Sequence, residues 1–229
     1  MVEPIQNADE NVSREVARIL LDTESILISP ASPFTLTSGR KSPVYVDCRQ
    51  LISFPGERGY IMDCAASMLS NLIGDDNIDI LAGGETAGIP YAAMIAERIN
   101  KPMIYVRKKP KGFGRTAQIE GAINGKSPKA VLIEDLQTDG GSKEVFINAL
   151  RNAGIQVSFA FVIFHYGIFQ SSIDNMKALD LKLCSLATWK DVVALAEAEN
   201  RISPEDIKSL KAFLDNPENW DPAQIPQTS

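Results

Sequence analysis

The sequence is poor in the residues that build metal centres and disulfide frameworks. It has one histidine, His165, and three cysteines in 229 residues. Cys48, Cys64 and Cys184 are far apart and form neither a CxxC pair nor a metal-ligand spacing, which points to unpaired thiols in a reducing compartment. No apolar run approaches the roughly 20 residues that span a bilayer, so no membrane segment is expected. The first eleven residues are polar and acidic, with no signal-peptide pattern. A cytoplasmic protein is expected. Positive charge is also scarce. Lys and Arg number 23 against 29 Asp and Glu, a net charge of −6, which argues against nucleic acid as a partner. There is no internal repeat and no linker. What remains is ample apolar material, 45% of residues, enough for one sizeable domain with at most a small appendage.

Chemistry concentrates in one stretch, Val131 to Ser142. Val131-Leu132-Ile133 reads as a strand buried on both faces. It runs into Glu134 and Asp135, then through a short polar loop to Gly140-Gly141-Ser142. From Ser142, Val145, Phe146, Ala149 and Leu150 recur at helical spacing. A glycine loop feeding a helix N-terminus presents unpaired backbone N–H groups and the positive end of the helix dipole, which suits phosphate. Two carboxylates beside it would repel phosphate; they suit neutral hydroxyls or a metal ion. Phosphate next to a sugar diol is the natural ligand, against the plainer alternative of solvated acids at a strand end.

The rest of the chain alternates. A helix over 12–21 has Asp9 or Asn11 as cap, and Pro55–Ile73 is a second helix with one apolar stripe. Ile78–Ala82 is a strand emptying into Gly83-Gly84-Glu85-Thr86-Ala87-Gly88, followed by a helix over 89–99. Met103–Val106 is a strand. After it Arg107, Lys108, Lys109, Lys111 and Arg115 crowd into nine positions that Pro110, Gly112 and Gly114 keep from forming a helix. A basic tract in an acidic protein is either a solvated loop or a lid that closes over a polyanion, and two phosphate-type loops elsewhere favour the lid. Ile155–Phe164 is a long strand, Ser172–Asp180 a helix, Leu181–Leu186 a short strand, and a further helix begins at Thr188. Ser203 caps a last helix that starts with Pro204. This order predicts an α/β fold, a mainly parallel sheet flanked by helices with ligand loops at the carboxyl ends of the strands. Residues of about 30–50 and 165–190 do not fit the alternation and are expected to form a small hood on a single domain spanning 1–229.

Four stretches together resemble the orotate phosphoribosyltransferase family, which belongs to the type I phosphoribosyltransferases. Residues 34–49 match Phe-x-Leu-x-Ser-Gly-x-x-Ser-Pro-x-Tyr-x-Asp-x-Arg. Residues 83–90 match a Gly-x-x-x-x-Gly-Ile-Pro loop, and residues 107–114 match Arg-Lys-x-x-Lys-x-aromatic-Gly. Residues 133–142 match the signature for 5-phosphoribosyl 1-pyrophosphate (PRPP). The resemblance covers essentially the whole chain. It implies transfer of the phosphoribosyl group of PRPP to orotate in pyrimidine (UMP) synthesis, giving orotidine 5′-monophosphate and pyrophosphate. Mg²⁺ is implied as the cofactor, carried by PRPP rather than by the protein. A homodimer whose basic loop reaches the neighbouring site is also implied.

Carried over by motif, Glu134 and Asp135 take the ribose hydroxyls, backbone amides of Gln137, Thr138, Asp139, Gly140, Gly141 and Ser142 hold the 5′-phosphate, and Leu136 between them counts among the PRPP-binding residues. Glu85, Thr86 and Ala87 line the pyrophosphate. Arg107 acts in its own subunit, Lys108 and Lys111 in trans. Lys111, Glu134 and Asp135 are the catalytic candidates, while Tyr45, Val46, Thr138 and Tyr166 border the orotate ring. His165 is expected to be structural. The chain departs from the family at three places. Phe113 stands where many bacterial members have a lid histidine. Thr37 replaces a lysine, with Lys41 a possible substitute. His165-Tyr166 stands where an Asp-Arg usually holds the orotate carboxylate, which leaves Arg49, Arg40 or the amides of residues 38–40 as candidates.

Expulsion of pyrophosphate through an oxocarbenium-like state needs charge neutralisation, exclusion of water and positioning rather than a protein nucleophile. The alternatives are a phosphoribosyltransferase for another base and a PRPP-sensing regulator without catalysis. The lid lysines, and the lack of a helix-turn-helix, argue against the regulator.

Overall fold

The computed structural model describes residues 5–36, 39, 41–112, 117–141 and 143–221. The chain opens with β1 (Ile5–Asn7) and α1 (Glu10–Asp22), the helix capped by the Asp9 carboxylate, which accepts from the N–H groups of Asn11 and Val12. β2 (Ile26–Ile28), β3 (Phe34–Thr35), β4 (Lys41–Ser42) and β5 (Val44–Val46) are short, and pair as two antiparallel ribbons, β2 with β5 and β3 with β4. α2 (Pro55–Ile73) covers the span its apolar stripe predicts. The alternating part follows: β6 (Ile80–Gly84), α3 (Gly88–Arg98), β7 (Met103–Val106), β8 (Ile119–Glu120), β9 (Lys129–Ile133), β10 (Leu136–Gln137) and α4 (Lys143–Asn152). β11 (Gln156–His165), α5 (Gln170–Ala178), β12 (Lys182–Thr188), α6 (Trp189–Ala198) and α7 (Pro204–Asp215) complete the order.

Among the described residues the main sheet runs β1-β12-β11-β9-β6-β7-β8, with β10 beside β11 beyond the end of β9. Every pairing is parallel except β7 with β8. β9 and β6 lie in the middle, so their side chains are buried on both faces. Val131 and Ile133 pack with α1, α2, α3 and α6 on one face. Ala130 and Leu132 pack on the other with Phe146 and Ile147 of α4 and Met176 of α5. Helices on both faces leave the carboxyl ends of the strands as the open edge where loops can meet a ligand.

Several expectations change. The strand expected over 181–186 forms as β12, but it lies in the main sheet between β11 and β1 rather than in a hood with the rest of 165–190. Which sheet a short strand joins is decided by the neighbours it pairs with, which its own sequence does not show. β1, in a segment read as a polar N-terminus, forms the edge strand. Val145 was placed on the buried stripe of α4 but is 45% exposed, and Ile147 faces the core instead. Residues 166–181 and the two small ribbons stand outside the sheet.

One close approach fixes the ligand edge. A Cβ on Gly88, the first residue of α3, would sit 2.1 Å from the carbonyl oxygen of Ile133 at the end of β9. Only glycine lets the helix start so near the strand. Gly88→Ala is expected to cost about 3 kcal/mol or more in urea unfolding, because the clash is with backbone and cannot be relieved by a rotamer. A loss under about 1 kcal/mol would mean that helix and strand are not in contact there.

Candidate active site

A cleft of about 350 Å³ opens at the carboxyl ends of β6, β9 and β10. Its walls are Val46, Asp47 and Arg49 after β5, the turn of residues 84–88 after β6, Lys108, the stretch of residues 134–140, and Lys143. Three of the four stretches singled out in the sequence therefore open into one space, and the basic tract contributes Lys108.

The two acids interrupt a strand. Ile133 pairs with Phe161 in β9, and Leu136 with Phe164 in β10, so the chain resumes the same neighbour after Glu134-Asp135. The Asp135 carbonyl accepts from the N–H groups of both Ile163 and Phe164. Alternation slips there. Ile163, Phe164 and Leu136 share one face, while Gln137 and His165 turn towards Ser172 of α5. The acids also separate. Glu134 turns towards α4, where its carboxylate meets the Lys143 ammonium at 2.5 Å; the two side chains are 11% and 1% exposed. Asp135 lies half-buried near Cys48 and Tyr91 of the other layer, and burial raises its pKa.

The glycines beside these acids make room. A Cβ on Gly84 would come 3.0 Å from Glu134 Cγ and from the Phe146 ring. Gly140 takes φ +85°, in the left-handed region. The loop is braced by Asp139, whose carboxylate accepts from the Thr138 hydroxyl and the Gly141 N–H, each at 3.3 Å. At the opposite wall the Glu85 carboxylate accepts from the Lys108 N–H at 2.7 Å, tying residues 85–87 to the start of the basic tract. That tract extends the β7–β8 hairpin: Arg107 N–H donates to Gln118 O and Lys111 N–H to Ala117 O.

Arg49 is held against the cleft by Asp47, with Nε to Oδ1 at 2.5 Å and Nη2 to Oδ2 at 2.8 Å. This contact lowers the Asp47 pKa and raises that of Arg49. The turn is anchored from beneath by the buried Tyr91, whose hydroxyl donates to Cys48 O at 2.5 Å.

Of the expected site residues, Val46, Glu85, Thr86, Ala87, Lys108 and 134–140 line the cleft. Tyr45 does not. In β5 the side chains alternate, so Val44 and Val46 are buried while Tyr45 faces outward against Phe34 at 5.8 Å. Tyr166 also lies away from it, packed between Phe164, Phe169 and Trp189. Lys108, expected to serve a neighbouring subunit, lines its own chain's cleft. Arg107, expected to serve its own, is instead 3.6 Å from the Glu120 carboxylate. Neither Lys111 nor Gly141 lines the cleft. Ser142, Arg40, Phe113, Arg115, Thr37 and Ser38 lie outside the described residues. Lys143 was missed, although its spacing to Phe146 and Leu150 is that of the helix's buried face.

No protein-family model matches the chain. An orotate phosphoribosyltransferase of Cereibacter sphaeroides is 46% identical over 217 residues, covering 95% of this chain and 93% of the relative. One from Agrobacterium fabrum is 46% identical over 209 residues, covering 91% and 90%. Among solved structures, the orotate phosphoribosyltransferase of Aeropyrum pernix superposes with a TM-score of 0.64 at 30% identity, over 82% of this chain and 99% of that one. Leishmania donovani UMP synthase superposes with a TM-score of 0.74 at 26% identity, over 90% of this chain. The chain spans 42% of that longer protein. Sheet order, glycine turns and the acidic strand end define a type I phosphoribosyltransferase fold. Within that class, the chain belongs to the orotate phosphoribosyltransferase family.

The buried pair can be tested by stability. Lys143→Met leaves Glu134 without its partner and is expected to cost about 3–5 kcal/mol in denaturant unfolding. Adding Glu134→Gln should recover most of that loss, since no buried charge is then uncompensated. A single-variant cost below about 1 kcal/mol would contradict the pairing.

Proposed function

We propose that the protein transfers the 5-phosphoribosyl group of PRPP to orotate, giving orotidine 5′-monophosphate and pyrophosphate in pyrimidine synthesis. The observation that carries this reading is the meeting, in one cleft, of the acidic strand end, the 138–140 loop and the residue 85–87 turn. The loop suits the 5′-phosphate, Glu134 and Asp135 suit the ribose diol, and residues 85–87 suit pyrophosphate. Attack by a ring nitrogen of the base at the anomeric carbon then breaks the bond to pyrophosphate. The chain's part is to hold the diol, fix the two phosphate ends and exclude water.

Charge supports a closing lid. Asp47, Glu85, Glu134, Asp135 and Asp139 set five carboxylates around the cleft against three cations, Arg49, Lys108 and Lys143. Two of those cations already face a carboxylate. A ligand with two phosphate ends needs further positive charge. Lys111, on the arm beyond the β7–β8 hairpin, is the catalytic candidate for this, acting across a homodimer. Mg²⁺ fits as the other source. Asp135 and Glu85 are hard oxygen donors, but no group of three metal-ligating side chains converges among the described residues, so the ion would ride chiefly on PRPP oxygens. When bound it neutralises charge on the departing pyrophosphate.

For the orotate carboxylate, Arg49 is the best-placed candidate. Asp47 occupies the Nε–Nη2 edge of its guanidinium, which leaves the Nη1–Nη2 edge for a second bidentate carboxylate contact. The unpaired cysteines agree with a reducing, cytoplasmic setting.

Protein mixed with PRPP, Mg²⁺ and orotate should deplete orotate absorbance, and Lys111→Ala should slow this by about 10²–10³, the loss of one transition-state contact. Turnover of a different base with none of orotate would overturn the substrate assignment. An unchanged rate in Lys111→Ala would remove the arm from the mechanism.

A further inference from the structure

Within the 138–141 loop the Asp139 carboxylate makes two long contacts, at 3.3 Å, and the Lys143 N–H reaches Gly140 O at 3.2 Å. Thr138 is half-buried, Asp139 and Gly141 are exposed, and only Gly140 is buried. Its fixed points come from outside. Asn175 of α5 donates from Nδ2 to the Asp139 carbonyl at 2.9 Å. One residue before the loop, Gln137 donates from Nε2 to the Ser172 hydroxyl at 2.6 Å, and Ser172 Oγ lies 3.0 Å from His165 Nε2. The Tyr166 N–H donates to the Gln137 carbonyl at 2.9 Å. Gln137, His165 and Ser172 are each at most 2% exposed.

We propose that Ser172 and Asn175, with His165 behind Ser172, are positioning residues that set the loop for the 5′-phosphate of PRPP. The inference rests on the phosphate reading of that loop.

Ser172 accepts from the Gln137 amide and has one proton to give, and giving it to His165 Nε2 calls for a neutral ring with its proton on Nδ1. Burial and the Lys143 charge lower the His165 pKa to about 4, so the ring is neutral at neutral pH and has one acceptor nitrogen to offer. Gln137 pays for its place: its Oε1 is buried with no partner in the structure. A fully buried amide kept at that cost is explained by what its backbone does, since Gln137 leads directly into the loop. Gly140 belongs to the same device. A Cβ there would come 3.1 Å from Gln137 Nε2 and 3.3 Å from Met176 Cε of α5. The helix thus meets this stretch from behind at residues 137, 139 and 140.

His165, Ser172 and Asn175 do not line the cleft, so their removal should weaken PRPP binding while leaving the base site alone. The experiment measures KM for PRPP and for orotate, kcat, and PRPP affinity by calorimetry with Mg²⁺, in Ser172→Ala, Asn175→Ala, His165→Leu and His165→Gln. Loss of one hydrogen bond is expected to raise KM and Kd for PRPP about five- to tenfold in the first three, with the orotate KM within about twofold. His165→Gln, whose amide oxygen can replace Nε2 as acceptor, should retain the wild-type PRPP constants. If PRPP and orotate constants move together, if neither moves, or if His165→Gln fails as His165→Leu does, the positioning role is wrong. Should Ser172→Ala not fold, half-buried Asn175→Ala carries the same test. Titration of the wild type separates the two claims. No PRPP binding there sinks the reading of the site itself, whereas wild-type binding left unchanged in the variants sinks only the role of α5.

Discussion

The carboxyl end of the central strand pair is the constraint on which the rest depends. β9 and β10 are one path broken at Glu134-Asp135, and the break is held open because the Asp135 carbonyl takes two amides of β11. A regular strand would have alternated through this point. The slip sends Glu134 to α4, leaves Asp135 near Cys48 and Tyr91, and delivers Gln137 to α5. Two adjacent acids thereby gain different surroundings, one paired with a buried ammonium and one desolvated, with Lys143 and Arg49 acting on it only at a distance. A vicinal diol, with two oxygens on neighbouring carbons, is a ligand that can meet both.

The cleft's charge has an order to it. Two of its three cations among the described residues are already engaged, Lys143 beneath Glu134 and Arg49 beside Asp47, and five carboxylates outnumber the three. A cleft with so little free positive charge suits a neutral sugar and backbone recognition of phosphate. In the proposed reading, charge for the leaving group arrives with the substrate's metal ion or with the basic arm. This division suits a reaction in which positive charge develops on the sugar while negative charge departs, because a permanently cationic floor would oppose the first.

Much of this was legible in the sequence because several signals coincided. Pro55–Ile73 and the helix at Ser203-Pro204 carried both an apolar stripe and a start signal, and both formed as read. The acidic strand end and the two glycine turns were legible because the chemistry confines small and acidic residues to short stretches. Where placement depends on long-range packing, the reading fell short. β12 was legible as a strand, but its place in the main sheet is set by pairing with β11 and β1. Tyr45 and Val46 were grouped by motif, yet β5 sends them to opposite sides. Tyr166 replaced a polar family residue and was absorbed into an aromatic cluster with Trp189. Lys143 belongs to no motif, and although its spacing puts it on the buried face of α4, only the meeting of that helix with the end of β9 reveals its partner.

The central claim is that this cleft holds PRPP in one orientation. A crystal structure of the protein with PRPP and Mg²⁺ tests it most directly. The account predicts the 5′-phosphate on the amides of residues 138–141, the ribose diol against Glu134 and Asp135, and the pyrophosphate against residues 85–87. Pyrophosphate seated on the 138–141 loop, or PRPP bound outside the cleft, would contradict it.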